Sequence, residues 1–422
     1  MNILLTAHGT RGDVYPIISL ARKFKEEGHS VKMLTQPNFK DTLEKTGIEC
    51  VYTSEDIKHE VAQMGSDWKG MVDMVDWSRK SLEEEFKILE QITGDTDILI
   101  CTNQEFSVAS IAEWRNIPAY RVSYIPAIPG DHTPPLIPWQ NLPKPLNRLI
   151  WKGFGAGFDS MVKKNVNEWR ALHGLPPVKK MTDHMTSVLH TIYAFSKEIS
   201  PPHPSWDSSV YTYSGYCFEK EEEEPELPAE VESFLDSGEK PIYLGFGSIH
   251  VYDPDEVTRI ALEAALLADV RLIIGRGWTG LGKKSVLEEK PGWASPDRVM
   301  VVGELSHTRL FPELLGVCHH GGAGTIHRAA RAGVPQLVLP IIIDQHFWGN
   351  RIYKIGAGPK PIRPKKLTVE TLSEIFSNFK KSGNSWKQVS EKLAESINSI
   401  DGVSETFGII QEKTINAAEK TA

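Results

Sequence analysis

Short apolar runs alternate with helix-period stretches along this chain. Residues 3–7 form the first run, and a polar turn separates it from a helical pattern over 15–27. Gly28 and His29 turn the chain into a second run at 30–35. Residues 97–102 and 119–123 repeat the signal, with a helical pattern over 106–114 between them. Buried strands separated by helices predict βαβ units and a parallel sheet. The rhythm resumes later, with strand candidates at 241–245, 270–274, 299–302, 316–319 and 336–340. A helix over 369–378 and a terminal one from about 405 complete the pattern.

Two stretches break the rhythm. Residues 123–151 hold seven prolines and few periodic signals, and so long a loop in a compact domain is usually functional or disordered. Its aromatic and proline content predicts an ordered wall. Residues 219–226, Glu-Lys-Glu-Glu-Glu-Glu-Pro-Glu, read as a solvated acidic linker. The expected organisation is an N-terminal domain over 1–218, a linker over 219–238, a C-terminal domain over 239–400 and a last helix over 401–422 packing back toward the first domain. Two α/β domains facing one another put the expected site in the cleft between them.

Composition narrows the function classes. At 40% hydrophobic and 24% charged residues the chain is ordinary soluble protein. The net charge of -8 and the lack of a basic block argue against a nucleic-acid partner. Four scattered cysteines form no disulfide framework, which points to a reducing, cytoplasmic compartment. No apolar run reaches transmembrane length, and the N-terminus reads as a first strand rather than a signal peptide. Transient contact with a membrane surface stays open.

Candidate chemistry concentrates at Cys318-His319-His320-Gly321-Gly322-Ala323-Gly324-Thr325, which joins a strand candidate to an alanine-rich helix candidate. Glycines let the backbone approach a ligand, and a helix start offers free N–H groups and the positive end of its dipole. That is a seat for a diphosphate, with His320 beside it as a further donor and His319 ending a buried strand. Asp13 follows the first strand, where parallel sheets bind ligands; it either reaches a substrate or caps the first helix. Asp344 and Gln345 follow another strand, as a pair suited to adjacent sugar hydroxyls or as a plain polar loop. Residues 275–280 fit G-x-G-x-x-G, but neither a clean helix nor an acidic partner follows, so a turn is expected there. Two D-x-D triplets, 95–97 and 253–255, sit where a structural or capping role suffices. Met64, Trp68, Met71, Val72 and Val75 recur at helical spacing, as a core face or an adaptable apolar pocket.

Further segments join these: Tyr243-Leu244-Gly245-Phe246-Gly247-Ser248, Ser306-His307-Thr308-Arg309-Leu310-Phe311-Pro312, Ala332-Gly333-Val334-Pro335-Gln336 and Asp344-Gln345-His346-Phe347-Trp348-Gly349-Asn350-Arg351. With Thr10 to Pro16 and His319 to Thr325, in this order, the chain resembles the family 1 glycosyltransferases of the GT-B fold. The likeness is in particular to sterol 3-beta-glucosyltransferases and bacterial antibiotic glycosyltransferases. The resemblance implies two Rossmann-like domains, a UDP-sugar donor in the C-terminal one and an acceptor in the N-terminal one. It implies inverting transfer of a hexosyl group, most often glucose, to a hydroxyl of an apolar acceptor such as a sterol, triterpenoid or polyketide. No metal or other cofactor is implied.

Roles carried over by the resemblance are residue-specific. His320, Ala323, Gly324 and Thr325 form the diphosphate loop, Ser248 lies near the same phosphates and His307 lines the nucleotide site. Asp344 and Gln345 grip sugar hydroxyls. Thr10, Arg11 and Asp13 belong to a loop closing over the donor, with Asp13 as the base and His8 as its rival. An Arg11–Asp13 ion pair would lower the Asp13 pKa. Ala323 stands where many relatives carry serine, and Ser306 where relatives often carry proline. The proline-rich loop, Trp139 and Trp151 fit a flat apolar acceptor. The alternatives are a sugar-nucleotide epimerase or hydrolase on a related two-domain fold, and a non-catalytic sugar-nucleotide or lipid-binding module.

Overall fold

Ile3 and Leu5 point to one face of β1 (Asn2–Ala7) and Leu4 to the other, and all three are buried. Side chains alternate along a strand, so a strand apolar on both sides needs cover on both faces. Ile17, Leu20 and Phe24 of the helix Arg11–Glu26 cover the first face, together with Phe407 and Ile410 of the helix Gly402–Thr421. Val108 and Ile111, Phe86 and Leu89, and Val166 and Trp169 cover the second. The protein is described here by a computed structural model, which covers residues 1–54, 68–220, 224–278, 280–289, 292–342 and 344–421, with side chains outside 68–78 and 417–421.

The N-terminal sheet is wholly parallel. It comprises β1, β2 (Ser30–Thr35), β3 (Glu49–Tyr52), β4 (Ile98–Cys101), β5 (Ala119–Ser123), β6 (His190–Tyr193) and β7 (Tyr211–Tyr213), in the order β3-β2-β1-β4-β5-β6-β7. A second parallel sheet holds β8 (Ile242–Gly245), β9 (Leu272–Gly275), β10 (Val299–Val302), β11 (Gly316–His319) and β12 (Gln336–Val338), in the order β10-β9-β8-β11-β12. In each sheet the first strand lies between its second and fourth. The crossovers therefore diverge at β1/β4 and at β8/β11, and each divergence opens a crevice at the strands' carboxyl ends. The two α/β units match the expected fold class.

Three features differ from the sequence reading. The helix Lys144–Leu172 starts inside the proline-rich stretch, because Pro145 sits in its first turn, where no N–H is needed. β3, β6 and β7 are too short or too polar to show a clear period. The acidic run is only partly solvated among its described residues: Glu219 forms an ion pair with Arg328, both largely buried, Glu224 accepts from the hydroxyls of Ser306 and Thr308, and exposed Glu226 meets Arg309 at 2.9 Å. Its three described glutamates strap the run to the second unit's helices, while Lys220 meets Glu26 of the helix Arg11–Glu26 at 2.6 Å.

The last helix crosses back, with Phe407 edge-to-face on Phe24 at 4.9 Å and Thr414 bonded to the Tyr120 hydroxyl. A shared apolar cluster joins the halves: Tyr193, Phe195 and Trp206 meet Ile326, Phe347 and Trp348. The backbone of 68–75 is helical, but the side chains of the Met/Trp stripe lie outside those described. Among the described residues no helix is long and apolar enough to cross a membrane.

Candidate active site

β1 delivers the chain into Gly9, whose φ of +123° suits only glycine and whose missing Cβ would stand 2.5 Å from Asp13 Oδ2. The turn lets the Thr10 N–H and hydroxyl both donate to Asp13 Oδ2, at 2.9 and 3.1 Å. Asp13 thus closes the first turn of its helix as the partner of the Thr10 cap, and it lies close enough to Asp344 of the second unit to repel it. Burial raises its pKa to about 6, against the pull of the Thr10 hydrogen bonds, and Glu105 adds repulsion. Arg11 does not pair with Asp13. It meets Glu304 at 2.7 Å, an exposed ion pair from the first unit to the second.

His8 occupies the end of β1 and is buried. Its N–H donates to Glu105 Oε1 at 2.8 Å, and its Nδ1 lies 3.2 Å from the same oxygen. Glu105 is itself fixed by the N–H and hydroxyl of Thr102, at 2.8 and 2.7 Å. Glu105 follows β4, the other side of the crevice, and was missed because a lone glutamate in a polar loop carries no spacing signal. Buried Glu85 lies close enough to feel both His8 and Glu105, and burial raises it to about 8.

The opposite wall is the loop between β11 and the helix Ala323–Arg331. Buried His319 bonds Gln336 Oε1 through Nε2 at 3.0 Å and accepts the Gly321 N–H on Nδ1 at 3.1 Å, which fixes its tautomer and shapes the turn. Gly321 has φ +96°, and a Cβ there would lie 2.5 Å from Val338 Cγ1. The start of the helix, Ala323-Gly324-Thr325, is packed at Gly324: a Cβ there would stand 2.9 Å from the Tyr216 hydroxyl, 3.2 Å from Arg328 Nη1 and 3.9 Å from the Gly12 Cα. His320 packs against Gly247 and Gly322, next to Ser248, and burial lowers it to about 4. Its Nδ1 is buried without a partner. His307 stacks on Phe311 at 4.4 Å, and burial, aided by Arg328 and His320, lowers it to about 3. Both histidines are therefore neutral near pH 7.

Asp344 precedes the helix Gln345–Ile355, and the Trp348 indole N–H donates to its Oδ2 at 3.0 Å. Burial raises Asp344 to about 7, and Asp13, on the other unit, repels it further. Gln345 is more constrained than expected. Its Oε1 accepts the N–H groups of Ile341 and Ile342 at 2.8 and 3.1 Å, so its oxygen shapes the loop, and the residue is buried.

Groups invisible in the sequence lock the two walls together. His327 Nδ1 lies 2.7 Å from the Ala323 carbonyl, and its Nε2 accepts the Ser196 N–H at 3.1 Å. Tyr216 stacks on His327 at 4.7 Å. The remaining motifs resolve as structure. A Cβ on Gly277 would sit 2.4 Å from the Gly247 carbonyl, and the Trp278 N–H donates to that oxygen, so Gly277 and Trp278 pack on the loop after β8. Asp97 accepts the Asn2 N–H and Asp253 caps its helix. Ser306, in place of proline, caps its short helix by accepting the Arg309 N–H.

Comparison with known proteins agrees with this geometry. Residues 3–120 match the glycosyltransferase family 28 N-terminal domain, and residues 288–409 match the erythromycin biosynthesis protein CIII-like C-terminal domain. Sterol 3-beta-glucosyltransferase UGT80B1 of Arabidopsis thaliana is 31% identical over 96% of this chain, and the chain spans 66% of that protein, just under two thirds of its length. Glycosyltransferase GtfE of Amycolatopsis orientalis is 29% identical over 89% of this chain and 90% of its own. The solved kitacinnamycin glycosyltransferase superposes with a TM-score of 0.73 over 97% of this chain and 98% of its own at 18% identity, a likeness of fold. With both domain models matched in order on two parallel α/β units, the chain is a two-domain protein of the GT-B glycosyltransferase fold, similar along most of its length to sterol and antibiotic glycosyltransferases.

Proposed function

We propose that this chain moves a hexosyl group, glucose first among the candidates, from a UDP-sugar to a hydroxyl of an apolar acceptor, with inversion and without a metal. The reading is carried by one observation: Asp13 and Asp344 approach from opposite units closely enough to repel one another, beside the start of the helix Ala323–Arg331. A carboxylate on each side of a diphosphate seat supplies a base for the acceptor and a grip for the sugar.

Asp13 takes the proton from the acceptor hydroxyl as that oxygen bonds to the anomeric carbon, and the bond from that carbon to the diphosphate oxygen breaks. A base near pKa 6 is largely ionised at pH 7 yet far more basic than a free carboxylate. Half-buried Asp13 lies nearer the cleft than buried His8, whose ring is held against Glu105. UDP leaves with added negative charge. The N–H groups of Gly324 and Thr325 and the ring of His320 stabilise it, and one such preorganised donor is worth on the order of 3 kcal/mol. Ser248 and His307 flank the nucleotide, and Asp344 with the Gln345 amide orients the sugar. The names of the sterol relatives direct attention to glucose and to a sterol hydroxyl.

A donor-by-acceptor screen with mass detection tests this reading. A sterol-type acceptor gaining one hexose, with UDP released, supports it. UDP release without a glycosylated product, or an epimerised sugar nucleotide, replaces it with a hydrolase or an epimerase. Binding without turnover replaces it with a binding module.

A further inference from the structure

Leu136, Trp139, Leu146 and Leu149 are exposed by 39, 67, 42 and 64%, and they fall within one short span at the start of the helix Lys144–Leu172. Trp139 therefore turns to water rather than lining a wall. On the helix, Leu146 and Leu149 lie one turn apart. Lys144, Arg148 and Lys152 repeat at four-residue spacing on a neighbouring stripe, and all three are exposed. No acidic residue occurs between Asp131 and Asp159.

This surface is held in shape from behind. Asn147 Nδ2 donates to the carbonyls of Asp131 and Leu142, both at 3.0 Å, and the Trp151 indole donates to the His132 carbonyl at 3.0 Å. Lys144 and Arg148 each stand 3.3 Å from Asp131 Oδ2, which offsets one of the three positive charges. The patch also adjoins the cleft. Asn141 Nδ2 donates to Asn350 Oδ1 at 3.3 Å, on the helix that Asp344 precedes.

We propose that this rim is a docking surface for an anionic lipid bilayer. Exposed leucines and a tryptophan enter the interfacial layer, while lysine and arginine stems lie along it with their charges at the headgroups. The chain carries a net charge of -8, so an anionic bilayer repels the molecule as a whole and attracts this rim, which fixes the orientation. Ordered backing removes most of the conformational cost of binding. The rim at the bilayer turns the cleft mouth toward it. The docking stands on this surface alone; its use, admitting acceptors dissolved in the bilayer, rests on the apolar-acceptor reading above.

Co-sedimentation of the full chain with sucrose-loaded vesicles tests it without any substrate, so its outcome is independent of the transfer reaction. The vesicles are phosphatidylcholine alone or phosphatidylcholine with phosphatidylserine. The wild type is expected to pellet with the anionic vesicles, less with the neutral ones, and to be released by salt. Arg148→Ala with Lys152→Ala should weaken anionic binding roughly 10- to 30-fold, and Trp139→Ser with Leu149→Ser at least about 10-fold. Arg148→Lys with Lys152→Arg should bind as the wild type does. Melting temperatures close to the wild type's confirm that each variant is folded. Wild-type protein left in the supernatant with anionic vesicles overturns the proposal. So do folded variants that pellet undiminished, and so does a dimer that Trp139→Ser with Leu149→Ser dissolves, which would make a second copy the occupant.

Discussion

Thr10 grips Asp13 twice, through its N–H and its hydroxyl, on a single carboxylate oxygen at 2.9 and 3.1 Å. Both bonds favour the ionised carboxylate, while burial opposes it and prevails, leaving Asp13 at about 6. A base is active when deprotonated, so transfer should rise with pH through about 6. Thr10→Val removes the hydroxyl and keeps the N–H. A hydrogen bond to a charged group is worth about 1.5 kcal/mol or more, so the acid limb of kcat/KM should move up by about one pH unit. An unmoved limb would detach Asp13 from the titration.

His320 is neutral near pH 7 because burial disfavours its charge, so in the proposed reaction it would meet the diphosphate as a hydrogen-bond donor. His320→Ala should weaken UDP about tenfold by calorimetry, the worth of one such bond. Unchanged affinity would remove the residue from the site.

Trp348 holds Asp344 through its indole N–H and is wholly buried between His327 and Phe195. Trp348→Phe keeps an aromatic ring there and deletes the donor. Asp344 should then titrate still higher, and the KM for the donor sugar should rise several-fold while UDP affinity holds. Equal losses for UDP and UDP-sugar would mean that the loop has collapsed.

Much of this arrangement was legible. Apolar runs located the strands that build both switch points, and glycine and histidine spacing located the turn from β11 into the helix Ala323–Arg331, because backbone curvature and helix starts depend on local residue types. Pairings across the molecule were not. Glu105 beneath His8 and the Ser196–His327 bond join residues with no common spacing. Glu219 looked like a solvated charge because its partner, Arg328, is 109 residues away. Pro145 read as a loop residue until the helix around it placed it in a first turn.

That Arg328–Glu219 pair yields a stability prediction. Side-chain exposures of 16 and 12% leave little water to solvate a lone charge. Arg328→Ala should destabilise the fold by about 3–5 kcal/mol, read as a lower denaturant midpoint. Arg328→Ala with Glu219→Gln should recover much of that loss. If the single variant is as stable as the wild type, the strap contributes nothing to holding the units together.

The central claim is that Asp13 is the base, and it is tested most directly by assaying Asp13→Asn and His8→Ala side by side, with product read by mass and UDP affinity by calorimetry. A carboxylate held near pKa 6 costs the fold stability at neutral pH, a cost that shrinks as the pH falls from about 6 and is gone below about pH 4, so Asp13→Asn should be no less stable than the wild type at pH 7. The predicted result is no detectable product from Asp13→Asn with UDP bound as in the wild type, and reduced but measurable turnover from His8→Ala. Wild-type turnover in Asp13→Asn, with His8→Ala silent, would contradict it.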